Sequence, residues 1–556
     1  MNETGIKLCG FAGSLYPERS KTGDNYLSRT MQYSRAAIVV LLALGACRPA
    51  TGPVPVATPP GPAPLPPMPL VEGPLQPNIV YPRPNAQIGS TDSTFVLGSV
   101  GNGRASVFIN GQPIRVWPNG AFLGFVANPP ATAPEYLLVA ALGSDTARLT
   151  QPVQVPGMAE LLPDSLRPPP PPPRVITDTT PTWVILGDSA SVAGDTDRVI
   201  IGRPAPGGVY RWFLFPGTRV QLTGRFPGFA RLRLDSALEI WVDAADAKTF
   251  TMDTVAPRRA AGNARVRSSP EWSDLIIPVG DRPAYFIEEL PGALELTLYD
   301  TRGGTDVVNF PTADSLIKTV EWEAERTDRI KYTIQLTQDP FGYLALYENG
   351  TFILRVRRPP PPAPRTGALS GLTIAIDPGH PPAGATGPTG FYEGDAVLPV
   401  GFALQRILQQ RGANVVITRT TREAVDLALR PIIARRANAH AFVSLHYNAY
   451  GDGINPLRQP NGMEVYFYRP HSEPLARAVQ TEMLERIPLP DQGVYFRSLA
   501  VVRNTWMPAI LVEGGFIIIP DQEHAMKTPE FQERYATAVA DGLETFFRAL
   551  RAQQRR

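Results

Sequence analysis

Cysteine and histidine are scarce in this 556-residue chain, which holds two Cys and five His. Two cysteines exclude a disulfide framework and a four-cysteine zinc site. An excess of one charge is missing as well. Lys+Arg 53 against Asp+Glu 51 leave a net charge of +2, which provides no electrostatic footprint for nucleic acid. The apolar stretch near the start, residues 36–46, falls short of the roughly 20 residues that a helical membrane span needs. With 43% hydrophobic and 19% charged residues, the chain is neither wholly disordered nor a multi-span membrane protein. Proline is the residue in excess: 61 positions, against a usual share of roughly 5%.

Residues 36–46 (AAIVVLLALGA) follow Arg29 and Arg35 and fit the apolar core of a secretory signal. The run ends in Leu44-Gly45-Ala46-Cys47, which resembles a bacterial lipoprotein box, in which the Cys is lipidated and becomes the mature N-terminus. The alternative is an ordinary cleaved signal with an incidental Cys. Met31 lies close upstream of this run, so the first 30 residues read as an extended leader or a start-site artefact. Processing before Cys47 discards Cys9 and balances the remaining charges.

The prolines cluster into three spacers, at 47–77, 157–174 (with Pro168 to Pro173 consecutive) and 359–370. Such chain neither continues a helix nor donates a full ladder, so each spacer is expected to be extended and to hold its neighbours apart. After the 1–46 leader and the first spacer, residues 78–156 show short apolar strands around Asn110-Gly111 and Asn119-Gly120, turn signals of an immunoglobulin-like β-sandwich. Residues 175–260 read as a small barrel that loosely resembles SH3-type modules. Residues 261–358 alternate in period two and resemble the AMIN-type β-domains found beside cell-wall amidases. The sandwich at 78–156 clusters no catalytic residue types, and for all three modules a folded spacer explains them as well as ligand binding does.

From 371 to 556 strands alternate with helical periods, predicting an α/β domain with a mainly parallel or mixed central sheet flanked by helices. The whole chain is thus multidomain, with this domain preceded by all-β modules and Pro-rich linkers. Strands are expected at 372–377, 414–419, 441–446, 463–468, 499–502 and 509–513, with helices at 396–411, 427–439, 474–487 and 529–550. Three strand ends are polar in a way that core packing does not require: Asp377-Pro-Gly-His380, Ser444-Leu-His446-Tyr-Asn448 and Glu513-Gly-Gly. Glu393 opens the helix after the first of them. Two imidazoles and a carboxylate with an open fourth position make a catalytic zinc arrangement, and a further carboxylate suits a general base.

These fragments, with Val416-Ile-Thr-Arg419, Arg430, Ala437-Asn438 and Pro508-Ala-Ile-Leu-Val-Glu513-Gly-Gly-Phe516, are similar in order and spacing to the amidase-3 family of zinc-dependent N-acetylmuramoyl-L-alanine amidases. The resemblance covers roughly 372–550. It implies Zn2+ held by His380, Glu393 and His446, Glu513 as catalytic base, and hydrolysis of the amide between the lactyl group of N-acetylmuramic acid and L-Ala of the peptidoglycan stem. Asp377 is expected to orient His380 or its loop, with Arg430 and Asn448 organising the surroundings. Two departures are visible: the loop from Pro381 to Gly390 lacks the usual glycine pair, and Ile517-Ile-Ile-Pro520 replaces a polar Ser-Asn. Residues 449–462 are too short for the inserted regulatory helix of division-associated relatives. His440 reads as a helix-end residue, while His471, His524 and the pair Arg435-Arg436 read as solvated.

The expected partners are peptidoglycan, a membrane through a lipid on Cys47, and a protein activator, with no nucleic acid. The expected location is exported and lipid-anchored, on the periplasmic face of an outer membrane, since Arg48 is not the Asp of inner-membrane retention. The alternatives are a zinc peptidase acting within the stem and a non-catalytic wall-binding lipoprotein.

Overall fold

Period-two alternation between residues 78 and 358 produces paired sheets with apolar inner faces. A computed structural model describes residues 61–156, 174–187, 199–249, 256–310, 314–361 and 367–554. The leader, Cys47 and nearly all of the second spacer lie outside the described residues. Residues 78–152 form a sandwich of a three-stranded sheet (Asn78–Tyr81, Ser93–Ser99, Ala121–Ala127) and a four-stranded sheet, closed over Val96, Val107, Phe122 and Tyr136. The next module has a five-stranded and a two-stranded sheet around Leu222, Leu232 and Ile240. The third packs a five-stranded against a four-stranded sheet around Leu275, Leu296, Tyr332 and Phe352.

The C-terminal domain is built on six strands: β1 (Thr373–Pro378), β2 (Asn414–Ile417), β3 (Ala441–Asn448), β4 (Met463–Phe467), β5 (Asp491–Phe496) and β6 (Ala509–Phe516). Their order is β2-β1-β3-β6-β4-β5. The first four are parallel, while β4 runs antiparallel to β6 and parallel to β5. Three long helices carry apolar stripes: α1 (Glu393–Gln410), α3 (Glu473–Arg486) and α5 (Pro529–Gln554). Val397, Val400, Leu404, Val479, Val539 and Phe547 from these stripes join Ile374, Ile376 and Val465 in one core. The opposite sheet face, with Ala375, Phe442 and Leu511, is covered by α2 (Leu429–Arg436) and by Val501, Val502 and Trp506. A short α4 (Pro520–Met526) precedes α5.

Four expectations change. Residues 499–502 are not a strand, since Ala500–Val502 form a 3-10 turn, whereas Asp491–Phe496 is an edge strand that the apolar pattern did not reveal. The end of the first spacer is not a free tether. Arg534 Nη1 donates to Ala63 O at 2.8 Å and Pro64 O at 2.9 Å, and Leu65 and Met68 pack on the C-terminal core. Nor are the modules held apart. Phe95, Leu97, Trp117 and Leu123 of the first sandwich share that same core, and Arg357 of the third module donates to Ala439 O at 2.6 Å. Apolar surface on each module found a partner, so spacer composition did not dictate separation. Finally, His471 is buried rather than solvated, with its Nδ1 3.0 Å from Glu289 Oε2 of the third module.

Candidate metal centre

Alternation along the strands sorts the polar strand ends onto one face. Ala375, Phe442 and Leu511 point to the α2 side, so Asp377, Ser444, His446 and Glu513, each an even number of residues further on, share it. The register aligns His446 with Glu513 across β3 and β6, and Glu513 with Glu464 across β6 and β4. Sheet pairing therefore brings together residues that lie far apart in the chain.

Glu393, at the first turn of α1, reaches into this row. Its Oε2 lies 3.1 Å from His380 Nε2, and its Oε1 lies 3.1 Å from His446 Nδ1. One donor atom from each of His380, Glu393 and His446 falls within 4.8 Å of the others. The free edges of both rings are engaged: His380 Nδ1 is 3.2 Å from Pro382 O, and His446 Nε2 is 3.1 Å from Ser444 Oγ. These contacts turn His380 Nε2 and His446 Nδ1 toward the carboxylate, as metal-ligating imidazoles require. Tetrahedral zinc with legs of about 2.0–2.1 Å separates its donors by about 3.3 Å, so the chemistry and spacing of this set fit that ion.

Electrostatics agree with the geometry. Burial alone would raise the Glu393 carboxyl, but the two imidazoles hold it below the usual carboxylate range. Burial lowers His380, yet its pairing with Glu393 leaves it above the ordinary imidazole value. Glu513 is shifted in the opposite direction. Burial first, then the neighbouring charges of Glu393 and Glu464, raise it well above the usual range, and its Oε2 is enclosed without a hydrogen-bond partner.

Asp377 does not touch His380. It accepts from Thr418 Oγ1 at 2.5 Å, Arg430 Nη1 at 2.8 Å and Ser444 Oγ at 2.7 Å. Its influence on the metal loop passes through Arg430, which donates to Pro378 O, His380 O and Pro381 O. On the other side, Ser444 links Asp377 to the His446 ring. Asn448 donates to Glu464, which also accepts from Tyr466 OH at 2.6 Å, so Asn448 organises the neighbour of Glu513 and not the metal-type cluster.

Arg419 is a residue whose role the sequence motif did not disclose. It donates to Pro378 O at 2.8 Å, Gly379 O at 2.7 Å and Gly394 O at 2.5 Å, joining the loop to the start of α1. His380 itself sits at φ 54°, a left-handed conformation unfavourable for a residue with a Cβ, and the two arginines hold the backbone there. Gly379 is required for a different reason: a Cβ on it would lie 2.3 Å from His446 Cε1. The variant loop after His380 is pinned by Glu523 of α4, which accepts from Thr389 N at 3.0 Å and Thr389 Oγ1 at 2.7 Å. His440 packs as a neutral acceptor, its Nδ1 2.9 Å from Thr373 N, with burial lowering its pKa to about 4.

A core of four parallel strands, extended by β4 and β5 and carrying two imidazoles and two carboxylates at its loop end, suits metal-assisted hydrolysis. Residues 374–545 match the Amidase_3 family, described as N-acetylmuramoyl-L-alanine amidase. A probable cell wall amidase, LytH of Staphylococcus aureus, is 32% identical over 185 residues, covering 33% of this chain and 60% of the relative. The chain thus spans about 60% of the length of the curated relatives it matches. Among solved structures, the N-acetylmuramoyl-L-alanine amidase AmiC2 of Nostoc punctiforme is 34% identical, covering 33% of this chain and 99% of that one at a TM-score of 0.30. An N-acetylmuramoyl-L-alanine amidase from Clostridium difficile 630 is 28% identical, with coverages of 32% and 97% and a TM-score of 0.30.

Proposed function

We propose that this protein hydrolyses the amide between the lactyl group of N-acetylmuramic acid and L-Ala of the peptidoglycan stem, using zinc held by His380, Glu393 and His446. The observation that carries the reading is the convergence of these three donors beside Glu513, inside the segment that matches the amidase family. A zinc ion held by these residues would supply Lewis acidity toward the amide carbonyl and water. Glu513 takes a proton from the attacking water and delivers it to the amine of L-Ala as the C–N bond breaks. Water's oxygen ends in the lactyl carboxylate and the stem leaves with a free amine. Asp377, Arg419 and Arg430 hold the His380 loop, while Ser444 orients His446.

On the same reading the protein is exported and anchored through a lipid on Cys47, on the periplasmic face of an outer membrane, with a protein activator as a further partner. The test is mass spectrometry of sacculi digested by the zinc-loaded protein. Released peptides that begin with a free L-Ala amine are the expected result. Peptides cut within the stem, with the lactyl amide intact, overturn the reading.

A further inference from the structure

The second module, the third module and the C-terminal domain meet around a cavity of about 540 Å3 that belongs to none of them alone. Its walls are largely apolar, with Ile201, Phe213, Tyr285 and Phe286 from the β-modules and Leu427 and Ile432 from the C-terminal domain. Arginines interrupt this lining. Arg211 comes from the second module, and Arg435, Arg469 and Arg503 from the C-terminal domain. Three of the guanidiniums rest against an aromatic ring: Arg211 5.4 Å from Phe286, Arg469 5.2 Å from Phe213, and Arg503 4.4 Å from Tyr210. Two of them donate to neutral acceptors, Arg469 to Arg503 O and Arg503 to Ser498.

Among the described residues, none of these three arginines is in an ion pair. Glu289, the carboxylate whose charge reaches Arg469, is already engaged by His471 and Tyr343 behind the wall. One acidic side chain, Asp426, lines the cavity, and one of its oxygens accepts from Ala428 N. Guanidinium groups in a partly enclosed apolar site recognise an oxyanion strongly, and their planar forks match a carboxylate. Asp426 offers a partner for an ammonium within the same enclosure. Cationic groups, one carboxylate and apolar walls complement a short zwitterionic peptide, whereas inorganic phosphate would leave the walls unused and meet repulsion from Asp426.

We infer that this cavity binds a short peptide bearing carboxylates and a free amine. That such a peptide is the stem released by the enzyme itself rests on the proposed amidase reaction; the complementarity of the cavity does not. The site also bears on the metal centre. Asp426, Ala428, Pro431 and Ile432 line the cavity, and Arg430 of the same segment holds the backbone of the His380 loop. An occupant therefore rests on the helix that positions a metal-type ligand.

Calorimetric titration of the full chain with the tripeptide Ala-Glu-Ala tests the inference. Saturable binding is expected, weakened about tenfold by Arg211→Gln or Arg503→Gln, as loss of a charge-assisted pair implies. Leu427→Glu, at a side chain 54% exposed, adds a repelling charge without disturbing the core and should weaken it similarly. Glu513→Gln should leave binding unchanged. Absence of binding overturns the inference, as does loss of binding in Glu513→Gln with retention in Leu427→Glu, which places the peptide in the catalytic groove. Equal displacement by inorganic phosphate alone overturns the peptide assignment. Because heat of binding needs no turnover, failure of the amidase reading shows in the mass spectra and failure of this one in the titration.

Discussion

Tyr81 donates its hydroxyl to Asp452, tying the first β-sandwich to the loop that leaves β3 after His446 and Asn448. The same carboxylate accepts from Gly89 N at 2.7 Å and Thr94 Oγ1 at 3.1 Å. Three donors from one module converge on a single acceptor of another. Asp452→Ala leaves all three without that acceptor and is expected to cost about 1–3 kcal/mol. Urea unfolding measures the loss, and limited proteolysis between the sandwich and the C-terminal domain should quicken. Unchanged stability and protease resistance would show the docking to be energetically idle. Tyr81→Phe removes one donor of the three and should fall between wild type and Asp452→Ala.

The third module is joined through Glu289 and His471, whose contact predicts an acid-sensitive interface. Burial pushes the Glu289 carboxyl up, but His471 and then Arg469 outweigh it and bring the pKa down from 4.5 to about 2. A carboxyl depressed in the folded state binds fewer protons there than in the unfolded chain. Its contribution is therefore present above the unfolded value and is lost as pH falls from about 4.5 toward about 2. Tyr343, which donates to Glu289 Oε1 at 2.9 Å, remains neutral across that window, burial raising its pKa. Glu289→Gln should lower stability near neutrality and flatten its decline in acid, read from urea unfolding at several pH values. An acid slope identical to wild type would remove Glu289 from the account.

Local pattern carried much of the C-terminal domain and little of its assembly. Asp377, His380, His446 and Glu513 were legible because each follows an apolar strand, and a polar residue there must meet a partner or a ligand. The helix opened by Glu393 was legible from its apolar stripe. The edge strand Asp491–Phe496 was not, since only one of its sides is paired and its side chains are partly or fully exposed. The docking residues left no local mark. Asp452 and Glu289 meet partners 371 and 182 positions away, and an isolated carboxylate looks the same in sequence whether solvated or buried. Proline misled for a physical reason: residues 63–68 form no helix or strand, but such a segment still presents Leu65 and Met68 to an apolar surface.

Arg430 and Asp377 form a buried pair at 2.8 Å, with both side chains nearly inaccessible. Arg430→Met breaks this buried pair and leaves the Asp377 side chain held by Thr418 and Ser444 alone, at an expected cost of about 3–5 kcal/mol. It also frees the carbonyls of His380 and Pro381, so zinc affinity should fall by about 10–100-fold. Because the two groups act as a unit, Asp377→Asn combined with Arg430→Met should cost less than the sum of the single changes. Additive losses would mean that the two residues act independently.

Zinc content and turnover together separate the roles of His446 and Glu513. His446→Ala removes one of three donors and leaves Glu393 facing a single imidazole, so metal and activity should be lost together. Glu513→Gln is nearly isosteric, keeps the three donors intact and removes the group proposed to accept the proton. Its zinc content should match wild type, while kcat falls about 10²–10⁴-fold, the usual contribution of a positioned general base. Metal analysis after gel filtration, paired with release of stem peptides from sacculi, gives both readings on the same samples. Zinc lost in Glu513→Gln would move that carboxylate into the ligand set, and activity retained there would assign proton transfer to another group. Glu464 is then the next candidate, lying in register with Glu513 on the same face and already raised in proton affinity by burial.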